Sequence, residues 1–267
     1  MLILPTPPTD VLNLFGFPIY IYGIIMACAI FVAIIVANSF FNKHNPIRYK
    51  DVILENAVYI IFSGILGARL YYCLLNYSYY FAKPLEILDI RQGGLSIHGA
   101  VLGGVLCLIF ISHKAKTSLL KLLDAISTAT ILGQAIGRWG NYFNSEAYGL
   151  PVKSQTWGVL IPESRRLPEY LEYSLYHPTF LYESVLDLFV FGGLAFIYFK
   201  FNRYKGVTFF SYLIIYSVIR FFIEQIRVDS ALNVCSVPIA EIVSGVLFVV
   251  GIFGLVYSIL NSKVKKS

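Results

Sequence analysis

Four short stretches hold the residues best suited to chemistry. "RFFIEQIR" sets Arg220, Glu224 and Arg227 at i, i+4 and i+7. On a helix these positions share one face, and their neighbours are mostly phenylalanine and isoleucine. Two guanidinium groups against one carboxylate leave a net positive charge, and the guanidinium fork matches the geometry of phosphate. The face is either an anion pocket, in which Glu224 steadies an arginine, or an Arg–Glu–Arg network tying helices together. "GRWGNYFNSEAYG" gathers Arg138, Asn141, Asn144 and Glu146 among Gly137, Gly140 and Gly149. Glycine permits tight turns and close approach to a ligand. This segment is therefore expected to form a polar mouth, with Arg138 as a second anion-binding group and the amides and Glu146 available to hydroxyls. The alternative is a loop whose polar groups satisfy one another.

"GGLSIHGAVLGG" places His98 among five glycines at the start of an apolar run. "HPTFLYES" has Pro178 where a helix begins. Its His177 and Glu183 are either catalytic or polar anchors of that helix start. Ser96 opens a segment resembling a GxSxG elbow, but His98 stands where the last glycine belongs. There is no GxxxxGK[ST] phosphate loop and no HExxH metal helix.

The chain around these residues is built for lipid. Of its 267 residues, 57% are hydrophobic and 13% charged, and its mean hydropathy is +0.70. Soluble domains carry about 25% charged residues. Mostly apolar stretches of 18 or more residues imply spanning helices. Seven are expected, at about 18–41, 52–75, 95–112, 119–136, 178–199, 207–227 and 238–260. The expected fold class is an all-α, polytopic membrane bundle of seven transmembrane helices. It forms a single integral membrane domain over 1–267, with a small extracytoplasmic cap at about 137–177 between helices four and five. The first residues lack the basic region and cleavage site of a secretory signal. No internal repeat is present, which weighs against a transporter of inverted-repeat type. Cys28, Cys73, Cys107 and Cys235 lie within or at the ends of apolar runs, with no CxxC. They read as packed thiols rather than a disulfide framework or a zinc site.

Basic residues orient the bundle. Lys43, Arg48 and Lys50; Lys114, Lys116 and Lys121; Lys200, Arg203 and Lys205; and Lys263, Lys265 and Lys266 together make twelve of the 21 Lys and Arg residues. All four groups fall on one side of a seven-span chain, which the positive-inside bias makes cytoplasmic. The net charge of +6 is thus read as basic inner loops rather than a nucleic-acid surface. The N-terminus is expected outside and the C-terminus inside. A charge in hydrocarbon costs roughly 3 kcal/mol on insertion scales, so ionisable groups in the spans should face a cavity or a partner. Arg220 is expected about 20 Å from the inner edge, at about 1.5 Å per helical residue. Arg69, His98, Arg138, Glu183 and Glu241 also fall in the outer half. Asp124 alone lies clearly near the inner face. That asymmetry suits a site open to the outer leaflet better than a pathway across the membrane.

Together these segments resemble the bacterial prolipoprotein diacylglyceryl transferase family. "GRWGNYFNSEAYG" is similar to its signature, "GGLSIHGAVLGG" to its His-Gly segment, and "HPTFLYES" to its His-Pro box. "RFFIEQIR" is similar to its Arg-x-x-x-Glu-x-x-Arg helix, and "YIYGIIMA" to its first-span Tyr-Gly segment. The matches run in order over essentially the whole chain. Two positions depart: Phe180 stands where the family commonly has glutamine, and Ile21 where an aromatic is common. The resemblance implies transfer of the diacylglyceryl group of phosphatidylglycerol to the lipobox cysteine thiol of a prolipoprotein. A thioether forms and glycerol 1-phosphate leaves, as the first step of lipoprotein maturation. The implied partners are phosphatidylglycerol, prolipoprotein signal peptides with a lipobox cysteine, and membrane lipids, with no nucleic acid, metal or other cofactor. The implied location is the bacterial cytoplasmic (inner) membrane, multi-pass, with the active site toward the outer leaflet.

His98, Arg138 and Arg220 are then expected to be catalytic. The arginines would bind phosphate and stabilise the leaving group. His98 would either take the thiol proton or only hydrogen-bond lipid or protein. A free thiol, with a pKa of about 8.5, holds little thiolate near neutral pH, and imidazole is suited to accept its proton. Tyr22, Asn141, Asn144, Glu146, Gly149, Glu224 and Arg227 would bind or frame the substrate. Gly99, Gly103 and Gly104 are expected to allow close helix packing or to leave room for lipid tails. The competing expectation is a membrane transporter or binding protein for an anionic lipid or solute, using the same arginines without bond making. A structural scaffold would not need the outward concentration of arginines.

Overall fold

The computed structural model describes residues 2–90, 93–153, 156–201, 203–228, 233–234 and 237–264. Cys235, Lys265 and Lys266, considered above, lie outside the described residues. Seven helices are long and apolar enough to cross a membrane: α1 (Ile21–His44), α2 (Ala57–Leu75), α3 (Ile97–Lys114), α4 (Leu119–Phe143), α5 (Thr179–Phe201), α6 (Val207–Glu224) and α7 (Ile239–Val264). The all-α polytopic membrane fold is therefore present. Large apolar side chains such as Phe62, Phe189 and Phe253 are exposed along the spans. Helices in hydrocarbon satisfy their backbone internally and can turn such side chains to lipid. The helix ends lie close to the expected ones, with one exception. The fourth span, expected to stop near 136, continues to Phe143.

The chain divides into two compact units, residues 1–37 with 124–267, and residues 38–123. In the second unit, α2 and α3 meet backbone to backbone. A Cβ on Gly99 would overlap the carbonyl oxygen of Gly67, and one on Gly103 would overlap that of Ser63. Gly104 has open space at its Cβ position, so of the two expected roles it lacks the close packing and keeps room for a lipid tail. At the other end of the unit, Asp51 accepts hydrogen bonds from the amides of Asn38 and Asn42, both at 2.8 Å. Those bonds, Asn38's first, hold its carboxyl below the usual range. They fix the connection that leads into the second span.

In the first unit, Asp124 is spent on structure. It accepts the N–H groups of Gly206 (2.7 Å) and Phe209 (2.8 Å). These are orphan donors at the start of α6, so the carboxylate fixes and charges that helix end favourably. The connection between α4 and α5 carries β4 (Trp157–Leu160) and β5 (Leu175–Tyr176). β1 (Leu2–Leu4) pairs in parallel with β4, which pairs antiparallel with β5. Tyr148, Val159, Ile161, Tyr176 and Phe180 form the buried cluster beneath this sheet. A hairpin, β2 (Val11–Leu14) and β3 (Phe17–Tyr20), leads directly into α1.

Candidate active site

The extension of α4 changes how "GRWGNYFNSEAYG" works. Gly137 through Phe143 are helical, so Gly137 and Gly140 make no turn. A Cβ on Gly140 would lie 2.8 Å from Cδ2 of Tyr22. The missing side chain thus lets α1 bring the Tyr22 ring against α4, a close-packing role rather than the turn role expected. The turn itself follows the helix and uses two non-glycine residues at positive φ, Ser145 (50°) and Ala147 (54°). Glu146 closes it twice. Its N–H donates to the carbonyl of Asn141 (3.0 Å), and its carboxylate accepts from the Asn141 amide (2.8 Å). Asn144 is half-buried.

Three of the four stretches then converge. The Gly149 N–H donates to the carbonyl of His177 (2.8 Å), and the Leu150 N–H to that of Ile226 (2.8 Å). The His177 N–H returns to Leu150 (3.1 Å), Gly149 bridges Arg227, and the Thr179 hydroxyl donates to the Ala147 carbonyl. A Cβ on Gly149 would lie 2.8 Å from the Ile226 oxygen and 2.9 Å from Cβ of His177. Only glycine fits where these strands of chain cross.

Side chains from α4, α5 and α6 form a line of alternating charge above this crossing. Arg138 pairs with Glu183. Glu183 Oε1 stands 3.8 Å from Nη1 of Arg220, and Arg220 Nη2 lies 2.7 Å from Glu224 Oε2. Glu183 was foreseen only as a catalytic residue or a helix anchor; its place is between the two arginines. Asp187, one turn further along α5, is 2% exposed and lies in the electrostatic field of Arg138 and Glu183. The surplus of positive charge inferred from Arg220, Glu224 and Arg227 is thus offset by carboxyls that the linear pattern did not connect to them. Exposure, not net charge, gives the site its sign. The Glu183 and Glu224 side chains are 3% and 2% exposed, whereas those of Arg138 and Arg220 are 17% and 16% exposed. A ligand arriving here meets the arginine side chains first, with the carboxylates enclosed beside them. Arg220 Nη1 and Glu183 Oε1 also lack a hydrogen-bond partner among the described residues, so donor and acceptor capacity remains at the midpoint of the line.

The remaining expected residues divide. Tyr22 lies in the field of Glu146 and Arg138. His177 contacts the Tyr182 hydroxyl through Nδ1 (3.1 Å), and that hydroxyl accepts from Trp157 Nε1 (2.7 Å). Phe180 is 1% exposed and packs on Trp139 and Tyr142, with ring centroids 5.9 and 5.3 Å away. It serves an apolar cluster at the position where the family commonly has glutamine. Arg227 lies three residues beyond the end of α6, in a bridge to Gly149, so it does not share a helical face with Arg220 and Glu224 as the spacing predicted; the chain has left the helix to meet the crossing. His98 belongs to the second unit. It is exposed, near the start of α3, with its ring 6.1 Å from that of Tyr71. Ser96 stands at the N-cap position of that helix in extended conformation, without a side-chain capping bond. Cys28, Cys73 and Cys107 are free thiols.

Comparison with known proteins agrees with the resemblance. The family model described as prolipoprotein diacylglyceryl transferase matches residues 9–257. Three relatives carry the name phosphatidylglycerol–prolipoprotein diacylglyceryl transferase. The one from Acaryochloris marina is 39% identical over 239 residues, covering 88% of this chain and 85% of its own. That from Nostoc sp. is 37% identical over 259 residues, covering 94% and 90%. That from Clostridium novyi is 41% identical over 254 residues, covering 94% and 96%.

Proposed function

The chain belongs to the prolipoprotein diacylglyceryl transferase family, and we propose that the line Arg138–Glu183–Arg220–Glu224 is where it binds and cleaves phosphatidylglycerol. The protein is a multi-pass membrane transferase acting on phosphatidylglycerol and a prolipoprotein. The observation that carries the site assignment is the pair of partly exposed arginine side chains beside enclosed carboxylates. Guanidinium groups held in this way can bind a phosphodiester through charge-assisted, two-pronged hydrogen bonds. Their enclosure by protein strengthens the interaction relative to water.

The reaction balances with few parts. The lipobox cysteine sulfur attacks the glyceryl carbon that carries the phosphate. The C–S bond forms as the C–O bond breaks, and the electron pair leaves with glycerol 1-phosphate. Arg138 and Arg220 stabilise the charge that grows on the departing phosphate. Glu183 and Glu224 hold the two forks apart and aimed. Tyr22, Asn141, Glu146 and the Asn144 amide frame the headgroup glycerol, and Gly149 and Arg227 keep the crossing of chains that supports them. His98 accepts the thiol proton. The site faces the outer leaflet of the cytoplasmic membrane, where the secreted precursor and its donor lipid meet.

The competing transport function needs polar groups serving both faces. Asp124, the inner candidate, is engaged with the start of α6, so no specific observation favours transport.

A transfer assay with phosphatidylglycerol vesicles and a lipobox peptide tests this directly. Arg138→Ala and Arg220→Ala should each abolish thioether product, and His98→Gln should lower the rate strongly at unchanged lipid binding. Activity surviving in both arginine variants overturns the phosphate clamp. Near-normal thioether formation by His98→Gln overturns the base assignment alone.

A further inference from the structure

Arg69 lies within the second span, where an unpaired cation would be costly. It is 6% exposed, and it faces no carboxylate within ion-pair distance among the described residues. It is instead wrapped by backbone. Nε donates to the carbonyl of Ile87 (2.9 Å). Nη1 donates to Gly93 and Gly94, both at 3.0 Å. Nη2 donates to Glu86 (2.5 Å) and Asp89 (3.0 Å). A guanidinium has five N–H donors, and all five go to carbonyls of Glu86, Ile87, Asp89, Gly93 and Gly94. The face of the cation also lies over the Tyr80 ring, 5.1 Å from its centroid. In the connection from α2 to α3, the described residues 86–90 and 93–94 gather around Arg69 much as a loop gathers around a bound ion. No donor is left for an anion, which removes Arg69 from the phosphate site.

That connection ends at the residue whose position matters. Gly94 lies two residues before Ser96, the N-cap of α3, and four before His98. The Ser96 N–H donates to the Ala68 carbonyl (3.1 Å), Gly99 sits on Gly67, and the His98 ring lies beside Tyr71. Gly67, Ala68, Arg69 and Tyr71 of α2 thus hold the start of α3 that carries the imidazole. Gly94 is matched to this arrangement. It has φ of 71°, and a Cβ there would overlap Nη1 of Arg69. Gly93 has φ of 86° but open space at its Cβ position.

We propose that Arg69 is a positioning residue for His98: its five carbonyl contacts set the backbone that aims the imidazole. This rests on the assignment of His98 as the base. Among the described residues, a ring contact with Tyr71 is what steadies the His98 side chain, so its aim follows the backbone beneath it. A displacement of about 1 Å in a catalytic group can cost on the order of 100-fold in rate.

The full-length protein in detergent with phosphatidylglycerol and a lipobox peptide provides the test. Arg69→Lys keeps the charge but has three donors on a point-like head, so it cannot serve all five carbonyls. The expected result is a kcat lower by about 10- to 100-fold with KM for the lipid within about twofold. In protein labelled with 15N-histidine, the His98 resonance, identified by its loss in His98→Gln, should shift. In the His98→Gln background, Arg69→Lys should lower the residual rate no further. Gly94→Ala should reproduce the loss without altering any charge, and Gly93→Ala should lose less. Equal losses at the two glycines, independent multiplicative losses in the double variant, or an unmoved His98 resonance would each overturn the positioning role. If His98→Gln alone keeps normal activity, the base assignment fails. The resonance then decides the positioning role by itself.

Discussion

Glu183 should control how the arginines act rather than whether lipid binds. In Glu183→Gln the side chain keeps its size and loses its charge. Two contacts change: the ion pair to Arg138 and the approach to Arg220 Nη1 at 3.8 Å. At that separation a full charge pair is worth about 4 kcal/mol at an effective dielectric of 20. The arginine side chains are 17% and 16% exposed, so water recovers part of this. A hydrogen bond to a charged group contributes about 1.5–3 kcal/mol net, which is the better guide. The loss converts to a fall in kcat of about 10- to 100-fold, at 1.4 kcal/mol per factor of ten. The sign for KM runs the other way. Removing a carboxylate makes the pocket more cationic, so KM for phosphatidylglycerol should stay constant or fall. Glu183→Asp, shorter by one methylene, should reach only one arginine and give an intermediate kcat. Steady-state transfer kinetics over a range of lipid mole fractions would measure both constants. A raised KM at unchanged kcat would mean that Glu183 contributes to lipid capture, and the aiming role would be wrong.

Three further outcomes follow from the structure. Asp124→Ala should lower unfolding stability in detergent by about 1–2 kcal/mol, as loss of a helix cap does, with transfer activity per folded molecule kept; abolished activity in folded protein would refute a purely structural role. Phe180→Gln should lower the midpoint of thermal unfolding, because an amide replaces a ring among Trp139 and Tyr142 and a buried polar group without a partner costs about 1–3 kcal/mol; an unchanged midpoint would show that the cluster accommodates an amide. Asp51 has a folded-state pKa below its usual value, so its stabilising contribution is present above the ordinary carboxylate range and is lost as pH falls through the lowered one. An acid titration of unfolding should therefore show a steeper loss in the wild type than in Asn38→Ala, and superimposable curves would refute the link.

The seven spans were legible because each is a long apolar run, and lipid leaves few other options for such a run. The fourth was read short. Arg138 and Asn141 follow Gly137, and glycine with polar residues normally marks a helix end. Here the helix continues because Gly140 makes room for the Tyr22 ring, a partner more than a hundred residues away. Candidate residues on each motif could be picked out by type and spacing, but their pairing could not. Glu183 and Asp187 stand at i and i+4 in an otherwise apolar helix, a signal that was present in the sequence. What it could not give was which arginine they face. The strand pairing of Leu2–Leu4 with Trp157–Leu160 had no local signal, since a three-residue strand gains its register only from a distant partner.

Charge within a span therefore does not identify a site; the disposition of its donors and acceptors does. Arg69 and Arg220 are both arginines in apolar helices, and composition treats them alike. Arg69 has five donors and five carbonyls, so its cost of burial is met by a connection that it folds in return. Arg220 has Glu224 on one nitrogen, while Nη1 has the 3.8 Å approach of Glu183 but no hydrogen bond among the described residues, and part of its side chain is exposed. The same contrast separates Asp124, whose oxygens take two N–H groups of α6, from Glu183, whose Oε1 has no hydrogen-bond donor among the described residues. A buried group with unmet capacity lowers stability by about 1–3 kcal/mol. A fold retains such a group where a ligand meets the need. Adding phosphatidylglycerol should thus stabilise the wild type against unfolding more than it stabilises Arg220→Gln, and by the same amount in Arg69→Lys as in the wild type. Equal stabilisation of Arg220→Gln and the wild type would place the lipid phosphate elsewhere.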